Sequence, residues 1–199
     1  RSWLDRAERL VDRMIALFWD DDGGFYYTGE HHENLIVRDK DQLDNATPSG
    51  NSVAIADLLR LSHLTGRTDL RDRADEALRT FYARMRKSPE AMGEMIQWLD
   101  FHLDGPAEIV VVESDAADGE ALVDAIRETY LANSVRIVAD LEEADLETWA
   151  EAIPLVEGRE RVDETATAYL CRAGTCRQPT TSPEELREQL ASGAAVGSA

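Results

Sequence analysis

The stretch Gly105-Pro106-Ala107-Glu108-Ile109-Val110-Val111-Val112 marks a change of fold. Gly and Pro interrupt the helical pattern before it, and a short apolar run without alternation is typical of a strand buried on both faces. Residues 121–126 follow with helical spacing, and residues 135–138 predict a second strand. Strand, helix and strand in this order predict a parallel, right-handed βαβ unit.

The sequence after this unit predicts three further elements. Apolar residues within the acidic segment 140–164 predict one short element under the sheet, and residues 165–171 predict a third strand. The spacing of Ser182 and Glu185 fits a capping box, which predicts a last short helix. Residues 191–199 are small and uncharged, and we expect a flexible tail. The apolar residues of segment 140–164 are Trp149, Ile153, Leu155 and Val156.

The sequence before Gly105 has helical spacing in four segments. Their apolar stripes lie within residues 4–18, 54–61, 70–85 and 92–99. Ser88-Pro89 offers an N-cap and a first-turn proline to the fourth helix. Residues 20–47 form a non-helical insert that begins with a turn cluster and continues as a short β-like run, Phe25-Tyr26-Tyr27-Thr28. The predicted fold is therefore mixed: an all-α half over residues 1–104, then a small α/β unit over residues 105–190.

Composition excludes several classes of function. The 199 residues carry a formal charge of −19, which argues against a nucleic-acid binder because such proteins need clustered Lys and Arg. The longest strongly apolar run, residues 109–112, is far shorter than the ~20 residues of a membrane helix, so no membrane partner is predicted. No signal peptide is visible at Arg1. We expect a soluble, cytoplasmic piece of a longer protein.

The basic residues are almost all arginine, since Lys40 and Lys87 are the only lysines. An acidic chain with few lysines fits a halophile, in which carboxylates keep the protein soluble in high salt. A GC-rich genome is the alternative, and it explains the missing lysines without explaining the surplus carboxylates. Residues 1–104 carry a net charge of −6 and residues 105–199 carry −13.

The densest polar motif is Asp44-Asn45-Ala46-Thr47-Pro48-Ser49-Gly50-Asn51-Ser52, just before the second helix. One interpretation is helix initiation, because Ser49 or Asn51 can cap exposed amides. The other is a binding site, because a helix N-terminus favours an anionic or polyhydroxyl ligand. Both interpretations stay open at this point.

Other chemistry has weaker sequence support. Asp44 with Glu30 or Glu33 could supply the two carboxyl groups of a glycosidase. A histidine could act as a proton-transfer base, but the adjacent pair His31-His32 points in different directions and rarely chelates one ion. No metal site, cofactor or nucleotide loop is predicted. The other histidines are His63 and His102.

Cys171 and Cys176 are the two cysteines. Their spacing is neither a thioredoxin pair nor a zinc site, so two free thiols are expected in a reducing cytosol. Alternatively, the intervening residues could form a hairpin turn that brings both within disulfide reach. Arg172 and Arg177 would then favour the thiolate of a redox pair.

Three separated motifs resemble those of one family, and they occur along the chain in the same order as in that family. Gly23-Gly24-Phe25-Tyr26-Tyr27-Thr28, then Asn45-Ala46-Thr47-Pro48-Ser49-Gly50-Asn51-Ser52, then Ala168-Tyr169-Leu170-Cys171 resemble the thioredoxin-like family related to spermatogenesis-associated protein 20. The resemblance implies a six-hairpin (α/α) toroid, similar to those of N-acylglucosamine 2-epimerases and glycoside hydrolases. Residues 1–104 would be the last helical hairpins of that toroid and residues 105–190 a small α/β appendage, without the thioredoxin-like domain.

The resemblance implies a carbohydrate-like binding cavity, with Asp44 as its catalytic candidate. Sugar-directed catalysis would then require the full-length protein, whose thioredoxin-like and barrel portions are expected partners. The alternative is a non-catalytic scaffold or a redox-accessory module, and exposed apolar stripes of the fragment predict self-association. Side chains that converge on a polar concavity would favour the cavity, and side chains consumed in capping would favour the scaffold. The implied binding residues are Asn45, Ser49, Asn51, Tyr27 and Arg38.

Overall fold

A computed structural model describes residues 2–29, 37–114 and 116–194. The chain divides into two compact units, Arg1–Leu103 and Asp104–Ala199. The first unit is helical and the second is built on a small sheet with helices. The predicted mixed fold class is confirmed at this level.

The first unit contains helices α1 (Ser2–Phe18), α2 (Gly50–Thr65), α3 (Thr68–Lys87) and α4 (Gly93–Asp104). Helix α2 is the most buried of them, with Ile55, Leu58 and Leu59 fully inaccessible to solvent. A helix that is apolar on several faces belongs in the interior of its unit. Gly66 ends α2 in the left-handed conformation, which lets α3 turn back and pack against it.

The predicted β-like run, residues 25–28, forms no strand within the described residues. Phe25 instead makes a single antiparallel bridge to Trp19. The reason is that the Asn51 side chain bonds both backbone polar groups of Phe25, so they are not left for a neighbouring strand.

The start of α4 also differs from the prediction. Pro89–Ala91 forms a separate 3₁₀ turn, and α4 begins at Gly93. In the described structure Ser88 makes no side-chain capping bond. The Asp44 carboxylate, 50 residues away in sequence, accepts the Glu94 amide instead. Local sequence spacing could not reveal a cap supplied from so far away.

The second unit contains β1 (Ala107–Glu113), α5 (Ala116–Glu128), β2 (Ser134–Asp140), α6 (Leu146–Ala152), β3 (Thr167–Arg172), β4 (Thr175–Cys176) and α7 (Pro183–Ala194). In the described part of the chain the sheet has four strands in the order β2-β1-β3-β4. Strands β1 and β2 are parallel, which confirms the predicted βαβ unit, and the other two pairs are antiparallel.

Helices α5 and α7 enclose the main core of this unit. Ile109 and Val111 of β1 cluster there with Leu122 of α5 and with Leu186 and Leu190 of α7. Residues two apart on a strand share a face, so alternate β1 residues supply this core.

Helix α6 and the 3₁₀ turn Pro154–Val156 form the short element expected in the acidic segment. Trp149, Ile153 and Val156 are buried, and the Trp149 indole donates to the Asp140 carbonyl at 3.0 Å. Leu155 is partly exposed.

The C-terminal helix α7 begins with half of the predicted capping box. The Glu185 amide donates to the Ser182 hydroxyl at 3.3 Å, but the Glu185 carboxylate accepts from the Thr180 hydroxyl at 2.7 Å. Helix α7 continues to Ala194, so the prediction of a flexible tail is wrong for residues 191–194, which are helical. Buried Leu186 and Leu190 anchor the helix, and alanines extend it at little cost. Residues 195–199 lie outside the described residues.

Candidate functional site

Ser49 caps helix α2. Its backbone is extended, with φ −66° and ψ 152°, and its hydroxyl accepts the Ser52 amide at 3.1 Å. The Ser49 and Ser52 hydroxyls also lie 2.8 Å apart, and both side chains are buried. Ser49 therefore has the geometry of an N-cap that satisfies an otherwise unpaired helix amide.

Asp44 ties two helix N-termini together. One carboxylate oxygen, Oδ1, accepts the Ser49 amide at 2.9 Å and the Ser52 hydroxyl at 3.0 Å. The other oxygen, Oδ2, accepts the Glu94 amide in the first turn of α4 at 2.9 Å. A carboxylate at a helix N-terminus is favoured by the helix dipole, so Asp44 stabilises α2 and α4 together.

Asn51 uses its whole amide in structural bonds. Its Oδ1 accepts the Phe25 amide at 2.7 Å, while its Nδ2 donates to the carbonyls of Phe25 at 2.9 Å and Asp41 at 2.6 Å. Its side chain is almost fully buried. Asn51 thus holds the insert against α2.

The other three implied binding residues do not join this network through their side chains. Asn45 is exposed and donates to the Leu43 carbonyl at 3.3 Å. Tyr27 is exposed. Arg38 donates to the Thr28 carbonyl at 2.7 Å and lies 4.0 Å from the centre of the Tyr26 ring.

A concavity of about 260 Å³ lies beside the N-terminus of α2. Tyr27 and Asn51 line it, and among the described residues its lining does not include Asp44, Asn45, Ser49 or Arg38. The predicted residues therefore do not converge on one hollow. The lining consists of Met14, Phe18, Phe25, Tyr26, Tyr27, Asp41, Gly50, Asn51 and Ala54.

Asp41 is a residue that sequence reasoning missed. Its carboxylate accepts the Gly50 amide at 3.2 Å, and its carbonyl accepts from Asn51. It lies within the insert, three residues before the motif, so no local pattern pointed to it.

A charged cluster in the insert was also missed. Lys40 lies 2.7 Å from the Asp20 carboxylate and donates to the Gly23 carbonyl at 2.5 Å. The hydrogen bond from Lys40, assisted by one from Tyr26, lowers the pKa of Asp20 to about 2. The same contact with Asp20 raises the pKa of Tyr26. This cluster closes the turn that begins the insert.

The two described histidines, His63 and His102, contact residues that lie outside this motif. The His102 Nε2 lies 3.3 Å from the Asp75 Oδ1, and the His63 ring packs edge-on against the Phe101 ring. In the ranges that the structure describes, no cluster of three or more potential ligands could hold a metal ion. Glu30, His31, His32 and Glu33 lie outside the described residues.

The two cysteines form a disulfide across the β3–β4 hairpin. Cys171 and Cys176 lie opposite each other in antiparallel register, with Ala173 and Gly174 at positive φ in the turn between the strands. The expectation of two free thiols therefore differs from the structure, because the hairpin places the pair in bonding contact.

The arginine beside the sulfur is not one that the sequence suggested. Arg172 bonds to Asp104 and to the Gly105 carbonyl, and Arg177 bonds to the Ser192 hydroxyl. Arg159 instead donates to the Cys171 Sγ at 3.2 Å. It is distant in sequence, so only the fold could identify it.

In the part of the chain that the structure describes, no helical segment has both the length and the hydropathy of a membrane span. The protein therefore has a helical unit, in which the polar motif at residues 44–52 bonds the helices of that unit. Its second unit is an α/β unit with a disulfide-bonded hairpin.

Comparison with known proteins gives clear relatives. The chain is 37% identical, over 95% of its length, to spermatogenesis-associated protein 20 of Homo sapiens and to the protein of the same name in Rattus norvegicus. It is also 23% identical, over 94% of its length, to "Uncharacterized protein B0495.5" of Caenorhabditis elegans. No family model matches the chain.

The chain spans about a quarter of the length of the curated relatives it matches: 24% of the mammalian proteins and 25% of the nematode protein. The resemblance drawn from the three motifs is thus confirmed as homology to proteins named spermatogenesis-associated protein 20.

Proposed function

We propose that the helical unit is a non-catalytic scaffold within a longer protein, in the manner of the last hairpins of an (α/α) toroid. The observation that carries this proposal is the use of the polar motif within the fold. The side chains of Asp44 and Ser49 accept hydrogen bonds from backbone amides at the start of α2, and the Asn51 side chain accepts the Phe25 amide of the insert. A sugar would have to break these bonds to reach them.

The outer face of α1 supports the same role. Trp3 and Leu10 are 77% and 70% exposed. Apolar side chains so exposed favour contact with another protein surface. In a longer protein that surface would be a neighbouring hairpin, and in the isolated chain it would be a second copy.

A carbohydrate-like cavity is the second candidate, and one observation favours it. Tyr27 and Asn51 share the concavity of about 260 Å³ beside α2, and aromatic side chains there would suit the apolar face of a sugar ring. Catalysis in such a cavity, by Asp44 or another carboxylate, would belong to the full-length protein.

A ligand screen by thermal unfolding separates the two candidates. The scaffold predicts that no glycan or sugar phosphate raises the unfolding midpoint of the 199-residue chain or of the full-length protein. Tyr27→Ala is the matched variant, because its side chain is exposed and lines the concavity. A ligand that stabilises the parent and loses this effect in Tyr27→Ala would establish the cavity and overturn the scaffold.

A further inference from the structure

We propose that the Cys171–Cys176 disulfide is an exchangeable bond: a thiolate attacks Cys176, and Arg159 stabilises the Cys171 thiolate that leaves. The pair lies in the second unit, so this role does not depend on the scaffold role of the first. The ligand class is a small dithiol or the dithiol of a partner protein.

The two sulfurs differ in access. Cys171 lies on β3, with only 2% of its surface exposed, whereas Cys176 lies exposed on the edge strand β4. Thiol–disulfide exchange requires access to the sulfur that is attacked. Cys176 is therefore the electrophile and Cys171 the leaving group.

Arg159 is placed to receive the charge of that leaving group. One guanidinium nitrogen donates to the Leu155 carbonyl, which fixes the head group, and the other donates to the Cys171 Sγ at 3.2 Å. The guanidinium also lies 5.8 Å from the centre of the Tyr169 ring. Arg159 is half-buried, and burial lowers its pKa, yet an arginine remains charged at neutral pH. A fixed, partly desolvated cation at a leaving sulfur stabilises thiolate more than water does.

The exchange balances in two steps. The first thiolate forms a bond to the Cys176 sulfur, the Cys171–Cys176 bond breaks, and its electron pair stays on Cys171 as thiolate. The second thiolate of the same dithiol then attacks the other sulfur of that dithiol, which is bonded to Cys176 in the mixed disulfide. This step releases Cys176 as thiolate. The external dithiol is oxidised to a disulfide, two electrons pass to the cysteine pair, and the two protons of the dithiol balance the two new thiols.

The hairpin has other bonds that hold it when the disulfide opens. Arg172 pairs with Thr175 in the ladder, and the Arg177 amide donates to the Leu170 carbonyl at 2.9 Å. The disulfide closes a loop with a sequence separation of only 5. A bond across so short a loop constrains the unfolded chain less than a longer one would, so we expect the unit to stay folded when the disulfide opens.

The rate of reduction tests the role of Arg159. The oxidised 199-residue chain is treated with excess dithiothreitol at neutral pH, and free thiols are trapped by alkylation over time. Arg159→Gln should slow reduction on the order of tenfold, because the leaving thiolate loses its cation. Arg177→Gln is the matched control, since it removes the same charge from the residue next to Cys176, while its side chain bonds Ser192 and not a cysteine sulfur. It should leave the rate unchanged.

Three further measurements test the proposal. Glutathione trapping followed by mass spectrometry of the parent chain should place the adduct on Cys176. Arg159→Lys, which keeps a cation, should recover most of the parent rate, and circular dichroism should show that each variant is folded. An adduct on Cys171, equal or faster reduction of Arg159→Gln, or two free thiols in the chain after air oxidation would each overturn the proposal.

Discussion

Asn51 is the residue on which the scaffold and cavity interpretations differ most. It lines the concavity, as a ligand-binding residue would, but all its polar atoms bond the backbone of the insert. An amide that satisfies two buried backbone groups of one residue, here Phe25, replaces a missing strand partner. Its first task is therefore to fold the insert onto α2.

Asn51→Ala should lower the free energy of unfolding by about 3 kcal/mol, because the buried Phe25 amide and carbonyl both lose their partner. Urea denaturation followed by circular dichroism measures the change. Asn45→Ala is the control: the side chain is exposed, and the change should stay within about 0.5 kcal/mol. Equal effects of the two substitutions would contradict a structural role for Asn51.

Asp20 gives a pH dependence with a defined sign. Its pKa in the folded chain is about 2, below the ordinary 3.8, chiefly because Lys40 donates to it. The stabilisation is therefore complete above about pH 5 and is lost as the pH falls from 4 towards 2. The difference in unfolding free energy between the parent and Asp20→Asn should be largest near neutral pH and should shrink across that window.

Asp21→Asn removes the same charge from the neighbouring, exposed position. Its difference from the parent should stay small and should not follow the same curve. A constant difference between the parent and Asp20→Asn from pH 6 to pH 2 would mean that the contact between Lys40 and Asp20 does not stabilise the fold.

At the scale of elements, the turn before Phe25 sets the path of the insert. Gly24 has φ +84°, and a Cβ there would lie 2.8 Å from the Phe81 ring and 3.2 Å from the Asn51 Oδ1. Gly24→Ala should therefore cost about 2 kcal/mol or more, from the positive φ and from the displaced ring. Thermal unfolding of the variant measures this loss.

Gly93→Ala is the matched control for Gly24→Ala, because it makes the same substitution outside the turn. Gly93 lies at the start of α4, and a Cβ there meets nothing within 4 Å. Alanine should leave the unfolding midpoint unchanged or raise it slightly, because it favours the helix. A loss as large as that of Gly24→Ala would show that the turn is not specially constrained.

The elements that local patterns determine were predictable from the sequence. Apolar spacing located α1 to α4, and the runs at residues 109–112 and 135–138 located β1 and its parallel partner β2. The Asp44 cap on α4 and the contact of Arg159 with Cys171 join residues that are far apart in the sequence. Such contacts exist only after folding, so the sequence left open whether residues 44–52 cap a helix or bind a ligand. In the structure the side chains of Asp44, Ser49 and Asn51 bond the fold.

At the scale of the whole molecule, charge is the dominant feature. The formal charge of −19 divides as −6 before residue 105 and −13 after it. Carboxylates that repel one another destabilise a compact state, and salt screens that repulsion. We therefore expect the α/β unit, which carries the surplus, to be the more sensitive of the two to ionic strength.

The unfolding midpoint of the chain should accordingly rise markedly between low and molar KCl if the acidic surface is a salt adaptation. A variant with Glu120, Glu142, Glu157 and Glu188 changed to Gln removes four exposed carboxylates from the α/β unit. Because less repulsion is left to screen, its midpoint should start higher and rise less with KCl than that of the parent. If the midpoints of the two chains rose equally with KCl, the salt effect would come from the general strengthening of apolar burial and not from screening of these carboxylates. A flat response of both would leave a GC-rich genome as the better account of the arginine bias.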